Sequence, residues 1–369
     1  MSEFSENGSC PDDHHGSALS VNPGVEQPPM VDSASLQRFL NRKRKLFTSD
    51  EYVEGIVGGN RTVLSQAITL VESGLPEKIQ MAQAVVERCL PYTGNSIRIG
   101  ITGVPGAGKS TFIEAMGGYL TSKGYKLAVL AIDPSSERSK GSILGDKTRM
   151  EKLSADANAF IRPSPTSGSL GGVARKTRET VFLCEAAGFD VIFIETVGVG
   201  QSETAVYYMT DFFLLLQIAG AGDELQGIKR GIMEMADLIA VNKADSGNME
   251  KAQLAQAQYQ SALRLFPKPA SGWKPQATIC SAITCWGIDD IWKTVQQYIQ
   301  MTKNKGYFEQ RRHQQAKYWM NETIRNSLIH NFYHHPDIQT LLPEYEQKIV
   351  DGQMSSFAAA RILLNRYNH

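Results

Sequence analysis

The chain has 369 residues, 42% hydrophobic and 21% charged, with Lys+Arg and Asp+Glu both at 38. That is enough for about two globular domains of 100–200 residues, and the balanced charge gives no field that would recruit nucleic acid or a membrane surface. No apolar run reaches the ~18–20 residues of a membrane span, and the longest, Phe212 to Ala219, suits a buried strand.

Residues 1–34 are rich in Ser, Pro, Gly and acids and carry no Arg. Such a composition buries too little surface to offset ordering, so a disordered tail is expected. It has neither an apolar signal core nor the basic character of a transit peptide, so a cytoplasmic location is expected. Asp12-Asp13-His14-His15 reads as solvated tail, because ligands on a floppy segment are not preorganised. Arg42-Lys43-Arg44-Lys45 reads as a solvated helix face. The five cysteines (Cys10, Cys89, Cys184, Cys280, Cys285) lack metal-ligand spacing and are odd in number, as reduced thiols are.

Residues 35–95 read as a helical extension. Asn60 caps a helix with Val63, Leu64, Ala67, Ile68 and Val71 on one face. Pro76 opens a second, with Ile79, Ala82, Val85, Val86 and Leu90 as its stripe. Residues 96–300 alternate strand, loop and helix, with strands expected at 97–102, 126–132, 158–162, 190–195, 212–218, 237–242 and 277–281. This is an α/β pattern: a mostly parallel central sheet with helices on both faces and a ligand at the carboxyl ends of the strands. Residues 301–369 read as a C-terminal helical arm, broken into short helices by Pro336, Pro343 and Gly352, with Tyr307, Phe308, Tyr318, Trp319, Phe357, Ala358, Ile362 and Leu363 as anchors. His330 and His334 share a helix face, but Pro336 ends the helix there and exposed histidines are expected rather than a metal site.

The nucleotide motifs sit at strand ends. Gly103-Val104-Pro105-Gly106-Ala107-Gly108-Lys109-Ser110, then Thr111, fits the phosphate loop, Gly-x4-Gly-Lys-Ser/Thr. Glycines let backbone N–H groups face a polyphosphate, Lys109 is placed to reach its β and γ groups, and the Ser110 hydroxyl to bind Mg²⁺. Asn242-Lys243-Ala244-Asp245 resembles the guanine motif. A carboxylate at Asp245 accepts two N–H bonds from the Watson–Crick edge of guanine, a pair adenine does not offer. Ser281-Ala282-Ile283 resembles the element whose backbone meets the guanine carbonyl. Glu195-Thr196-Val197-Gly198 stands where GTPases carry Asp-x-x-Gly, and Val199 stands where Ras-like proteins carry the water-orienting Gln. Slow intrinsic hydrolysis that depends on a partner is expected. Asp133 and Asp146 reach the Mg²⁺ shell in one reading and belong to a polar surface loop in the other. Gly220–Arg230, including Asp223, Gln226 and Lys229, is either a further switch or a helix-capping loop.

Together with Gly141–Met150, Arg162–Gly168 and Gly171–Glu179, these strings resemble the methylmalonyl-CoA mutase-associated GTPases, MeaB/ArgK-like, over roughly residues 60–300. The resemblance implies a homodimeric GTPase chaperone that controls cofactor loading and protects a coenzyme B12-dependent acyl-CoA mutase, without binding B12 alone. It also implies that Asp133, Asp146 and Glu195 surround Mg²⁺, and that Arg149 and the Asp223–Lys229 loop are switch elements with catalytic roles. A nickel-delivering metallochaperone GTPase and a phosphotransferase are the alternatives.

Overall fold

The computed structural model describes residues 47–73, 75–132, 150–163, 170–196, 202–219, 230–245 and 247–367, all in one compact unit spanning Phe47–His369. Asp12–His15 and Arg42–Lys45 lie outside the described residues, as do Asp133, Asp146, Arg149, Val199 and Lys229.

Among the described residues seven strands form: β1 Ile97–Gly103, β2 Leu127–Ile132, β3 Ala159–Arg162, β4 Val191–Thr196, β5 Phe212–Ile218, β6 Leu238–Asn242 and β7 Gln276–Ile279. They match the seven expected strands to within two residues at each end, because near-continuous β-branched and aromatic runs mark strands buried on both faces. All pair in parallel, in the order β3-β2-β4-β1-β5-β6-β7. The chain order reverses on either side of β1, so the crevice above β1, β4 and β5 is the switch point where such sheets take ligands.

The described helices are α1 Ser49–Val57, α2 Arg61–Glu72, α3 Pro76–Cys89, α4 Lys109–Ser122, α5 Glu151–Ala155, α6 Leu170–Ala186, α7 Ser202–Tyr207, α8 Arg230–Met235, α9 Met249–Leu263, α10 Ile288–Asn304, α11 Tyr307–Tyr333, α12 Pro336–Val350 and α13 Ser356–Tyr367. Helices α4 and α10 bury Phe112, Ile113, Trp292 and Val295 against Ile99, Ile101, Phe193 and Leu214 on one face. Helices α1–α3, α6 and α7 cover the other, against Leu130, Ile192, Ile194 and Phe213. Side chains alternate between faces along a strand, so β2, β3, β4 and β5 each feed both cores.

Asn60 caps α2, accepting from the N–H groups of Thr62 and Val63, and all five residues of its expected stripe are buried. In α3 the stripe ends differently: the helix stops at Cys89, which is buried, and Leu90 begins a short 3-10 turn with its side chain exposed. The C-terminal arm also departs from expectation. Helix α11 runs unbroken for 27 residues, about 40 Å at 1.5 Å per residue, and Pro343 sits inside α12 without ending it. Phe308, Trp319 and Leu363 are buried, but Phe357 is 87% exposed.

Three aspartates that immediately precede strands tie the strand starts together. Asp190 accepts from the N–H of Lys126, Asp211 from that of Arg98, and Asp237 from that of Phe213. Arg98 and Glu185 form a buried two-pronged pair at 2.8 Å. Arg312 of α11 donates to both oxygens of Asp211, at 2.8 and 2.6 Å, and to the carbonyls of Gly94 and Ser96. This closes the end of the sheet opposite the crevice.

Candidate nucleotide site

Strand β1 delivers the chain into the phosphate loop. At Gly103 a Cβ would lie 2.3 Å from the Leu216 carbonyl oxygen of β5, so only glycine leaves the sheet here. Gly106 (φ 80°) and Gly108 (φ 83°) take the left-handed conformation that glycine adopts without cost. Gly108 precedes α4 and has no side chain to cap it, so the first-turn N–H groups and the positive end of the helix dipole are left for an anion. Val104, Pro105 and Ala107 complete the turn, with Ala107 buried beneath it.

Lys109 folds back on this loop, its Nζ donating to the carbonyls of Gly103 at 2.9 Å and Val104 at 3.3 Å. Burial lowers the ammonium's pKa, and the carboxylates of Glu195 and Glu203 push it back up. The charged form is therefore held by two acids on a group that a triphosphate would draw away from the carbonyls.

Asn242 ties the phosphate loop to the ends of β6 and β7. Its Nδ2 donates to the Ala107 carbonyl at 2.9 Å, and its Oδ1 accepts from the Ala282 N–H at 3.0 Å. The next residue, Lys243, is a non-glycine at φ 62°, and its side chain runs over Gly108. Ser281 is fully buried and its hydroxyl donates to Asp245, while the same oxygen accepts from the Thr284 N–H at 3.2 Å. Asp245 is thus fixed at one oxygen and can present the carboxylate to a base edge. The Ala282 N–H is already engaged by Asn242, and Ile283 beside it is 74% exposed. Residues 242–245 and 281–283 lie more than 130 positions from the loop; the β6–β7 pairing joins them to each other, and the β1–β5 and β5–β6 pairings bring them to the loop.

Glu195 lies on β4 opposite Ile101 and Ala131. By strand alternation it shares a face with Val191 and Phe193, the face on which α4 packs. Ser110 and Thr111 occupy the first turn of α4. A hydroxyl and a carboxylate are hard oxygen donors suited to Mg²⁺, which shares its shell with phosphate and water rather than using an all-protein cage. Among the described residues no three His, Cys, Asp or Glu cluster to hold a metal by themselves. His330 and His334 stand exposed at the end of α11 with rings stacked at 3.9 Å, and Asp337 pairs instead with Arg366 at 3.1 Å.

Two acids at this end carried no motif. Glu114 of α4 accepts from the N–H groups of Lys152 and Leu153, at 2.9 and 3.2 Å, and so anchors the chain just after Arg149. Glu203 on α7 is fully buried. Its sequence signal is a lone acid two residues after Gln201, which periodicity does not separate from a surface residue.

The parallel sheet, the phosphate loop at its central strand and the asparagine-linked acid at the neighbouring strand ends define a phosphate-loop GTPase. The sequence profile described as "Methylmalonyl Co-A mutase-associated GTPase MeaB" matches residues 64–337, and the chain belongs to that family. It is similar to "Probable GTPase Mb1533" of Mycobacterium bovis, 47% identical over 323 residues, covering 86% of this chain and 96% of that protein. It is also similar to "Methylmalonic aciduria type A homolog, mitochondrial" of Mus musculus, 46% identical over 341 residues, covering 90% of this chain and 80% of that one. Among solved structures, "Crystal structure of LAO/AO transport system kinase" superposes with a TM-score of 0.70 at 36% identity, covering 87% of this chain and 98% of that chain.

Proposed function

We propose that this GTPase is a chaperone of a coenzyme B12-dependent methylmalonyl-CoA or related acyl-CoA mutase, using its nucleotide state to control cofactor loading and protect the mutase from inactivation. The observation that carries this reading is the family match over residues 64–337, which spans every nucleotide motif. The mouse relative's name supports it.

In this reading Asp245 reads guanine, and the first-turn N–H groups of α4 with Lys109 hold the β- and γ-phosphates. Ser110, Glu195, Asp133 and Asp146 hold Mg²⁺, which when bound neutralises the charge on the phosphates. Lys109 exchanges its two loop carbonyls for phosphate oxygens, so the loop loses two restraints as it gains the ligand. Arg149 and the Asp223–Lys229 loop report the γ-phosphate to the mutase. B12 is handled by the mutase and not by this chain alone.

The chain acts as a homodimer joined through its C-terminal arm. Met320, Ile324 and Leu328 recur every four residues on an exposed face of α11, and Phe357 and Leu364 of α13 are exposed as well, an apolar display that a second copy would cover. Light scattering on the purified chain checks this: a monomer mass at micromolar concentration contradicts it.

The partner is tested by capturing mutases from the source organism with the chain loaded with a non-hydrolysable GTP analogue or with GDP, then measuring hydrolysis with each captured mutase. A nucleotide-dependent capture that raises the hydrolysis rate is expected. Mutases that neither bind nor stimulate contradict the assignment. The similar solved structure, named as a transport system kinase, favours a second reading, a phosphotransferase. Stoichiometric release of inorganic phosphate from GTP without an acceptor separates hydrolysis from transfer.

A further inference from the structure

Helix α7 descends from the crevice and lies across β1. At Gly100 of β1 a Cβ would come within 2.9 Å of Val206 and 3.1 Å of the Thr210 hydroxyl, so glycine is what lets the two backbones meet. Glu203 is three residues before Val206, hence on the same helix face. Three residues, about 4.5 Å of rise, carry it towards the phosphate-loop end of β1. There the hydroxyl of Thr196 at the end of β4 donates to that of Thr102, 2.8 Å away and buried.

Glu203 is a fully buried acid, and among the described residues its hydrogen-bond neighbour is the Ser202 hydroxyl, at 3.4 Å from Oε2. Its Oε1 is buried and has no hydrogen-bond partner among the described residues. An unmet buried acceptor costs about 1–3 kcal/mol, and more when charged. Its field reaches the Lys109 ammonium. Glu195 shares that field but lies on the α4 face of the sheet with Ser110, whereas Val206 and Thr102 place Glu203 on the opposite face. The missing donor therefore lies on the face of the sheet opposite Glu195 and Ser110.

We propose that Glu203 accepts a hydrogen bond from the water that attacks the γ-phosphate, and so fills the role left vacant by Val199. This rests on the GTPase activity. The water oxygen forms the new bond to phosphorus, and the bond to the β–γ bridging oxygen breaks with its electron pair on GDP. The water's proton leaves with inorganic phosphate. Glu203 orients the water and takes no part in the bonds made or broken. A glutamine carbonyl is a weaker acceptor of the same reach, and a shortened side chain offers none.

The test is single-turnover GTP hydrolysis by the full chain, which excludes product release, with affinities for GDP and a non-hydrolysable GTP analogue measured in parallel. Glu203→Ala is expected to lower the hydrolysis rate about 100-fold or more, the scale of losing one positioned group at a reacting centre. Both affinities should stay within about 3-fold, as expected when only transition-state contacts are lost. Glu203→Gln, which keeps shape and an acceptor, is expected to recover at least about 10-fold of that loss. Wild-type rates in both variants overturn the proposal. So does a loss of affinity as large as the loss of rate, or an equal loss in the two variants, either of which marks a purely structural role. Wild-type chain that releases no phosphate would sink the GTPase reading itself, and is a separate outcome.

Discussion

At the N-terminal ends of the strands, Arg98, Glu185, Asp211 and Arg312 interlock with the backbone of Gly94 and Ser96. At the C-terminal ends, Lys109 rests on carbonyls it can leave, Glu203 keeps an open acceptor, and the first turn of α4 has no cap. Both ends are rich in charge. One is nearly complete within the protein and the other is completed by something else. The closed end holds α11 to the sheet, and the open end is where a ligand supplies the missing partners.

The largest effect expected at the open end is on selectivity. Asp245→Ala should abolish the preference for GTP over ATP, a discrimination of up to about 10⁴-fold where a buried group is built to pair with one base edge. Competitive displacement of a fluorescent GDP checks this, and a preference that survives would separate Asp245 from base reading.

At the closed end, Arg312→Ala leaves Asp211 buried beside a lost partner. A stability loss of about 3–5 kcal/mol is expected by urea unfolding, with GDP affinity unchanged in the folded protein. A coupled loss of affinity would mean that the two ends are not independent.

Lys109→Ala should lower hydrolysis by about 100-fold or more, with the melting temperature held to within a few degrees, because among the described residues its hydrogen bonds go to two loop carbonyls. Unchanged turnover would remove the loop from catalysis.

The closed end also predicts a direction with pH. Burial would raise Glu185, but the hydrogen bonds and charge of Arg98 outweigh it and hold the acid below its ordinary value. Burial likewise opposes Asp211, and the Arg312 guanidinium overcomes it. Both acids are therefore more acidic folded than unfolded. Their contribution is complete above the ordinary carboxylate range, about pH 4, and is lost as pH falls through the folded values. Urea midpoints should fall below about pH 4 in the wild type and fall less in Arg312→Ala.

The smallest effect concerns the link between the ends. Tyr208, just after α7, stacks on Tyr318 of α11 at 3.9 Å and 12°, and its carbonyl accepts from the Trp319 indole. Tyr318→Ala should cost about 1 kcal/mol. A larger change in hydrolysis than in stability would show that α11 senses α7.

The open end was legible in the sequence because its chemistry is local. A phosphate loop needs its glycines, lysine and serine in one short string, and Asn242–Asp245 needs four adjacent positions at a strand end. The seven strands were legible because strands buried on both faces are continuous apolar runs. The closed end was not legible: Arg98, Glu185, Asp211 and Arg312 lie 87 to 113 positions apart in the pairs Arg98–Glu185, Arg98–Asp211 and Arg312–Asp211. Only the fold brings them together. Leu90 failed because the helix stopped one residue short of it, and Phe357 because an apolar residue on an arm can face outward. Glu203 was invisible for a different reason. Its burial depends on where α7 crosses Gly100, and no spacing in the chain encodes that crossing.

The most direct test of the account is nucleotide selectivity in the wild-type chain. GDP, GTP and ATP are each titrated against bound fluorescent GDP at fixed Mg²⁺. GDP and GTP should displace it at similar concentrations, and ATP should require at least about 10³-fold more. Displacement by ATP at the same concentration as GTP would contradict the guanine-specific switch.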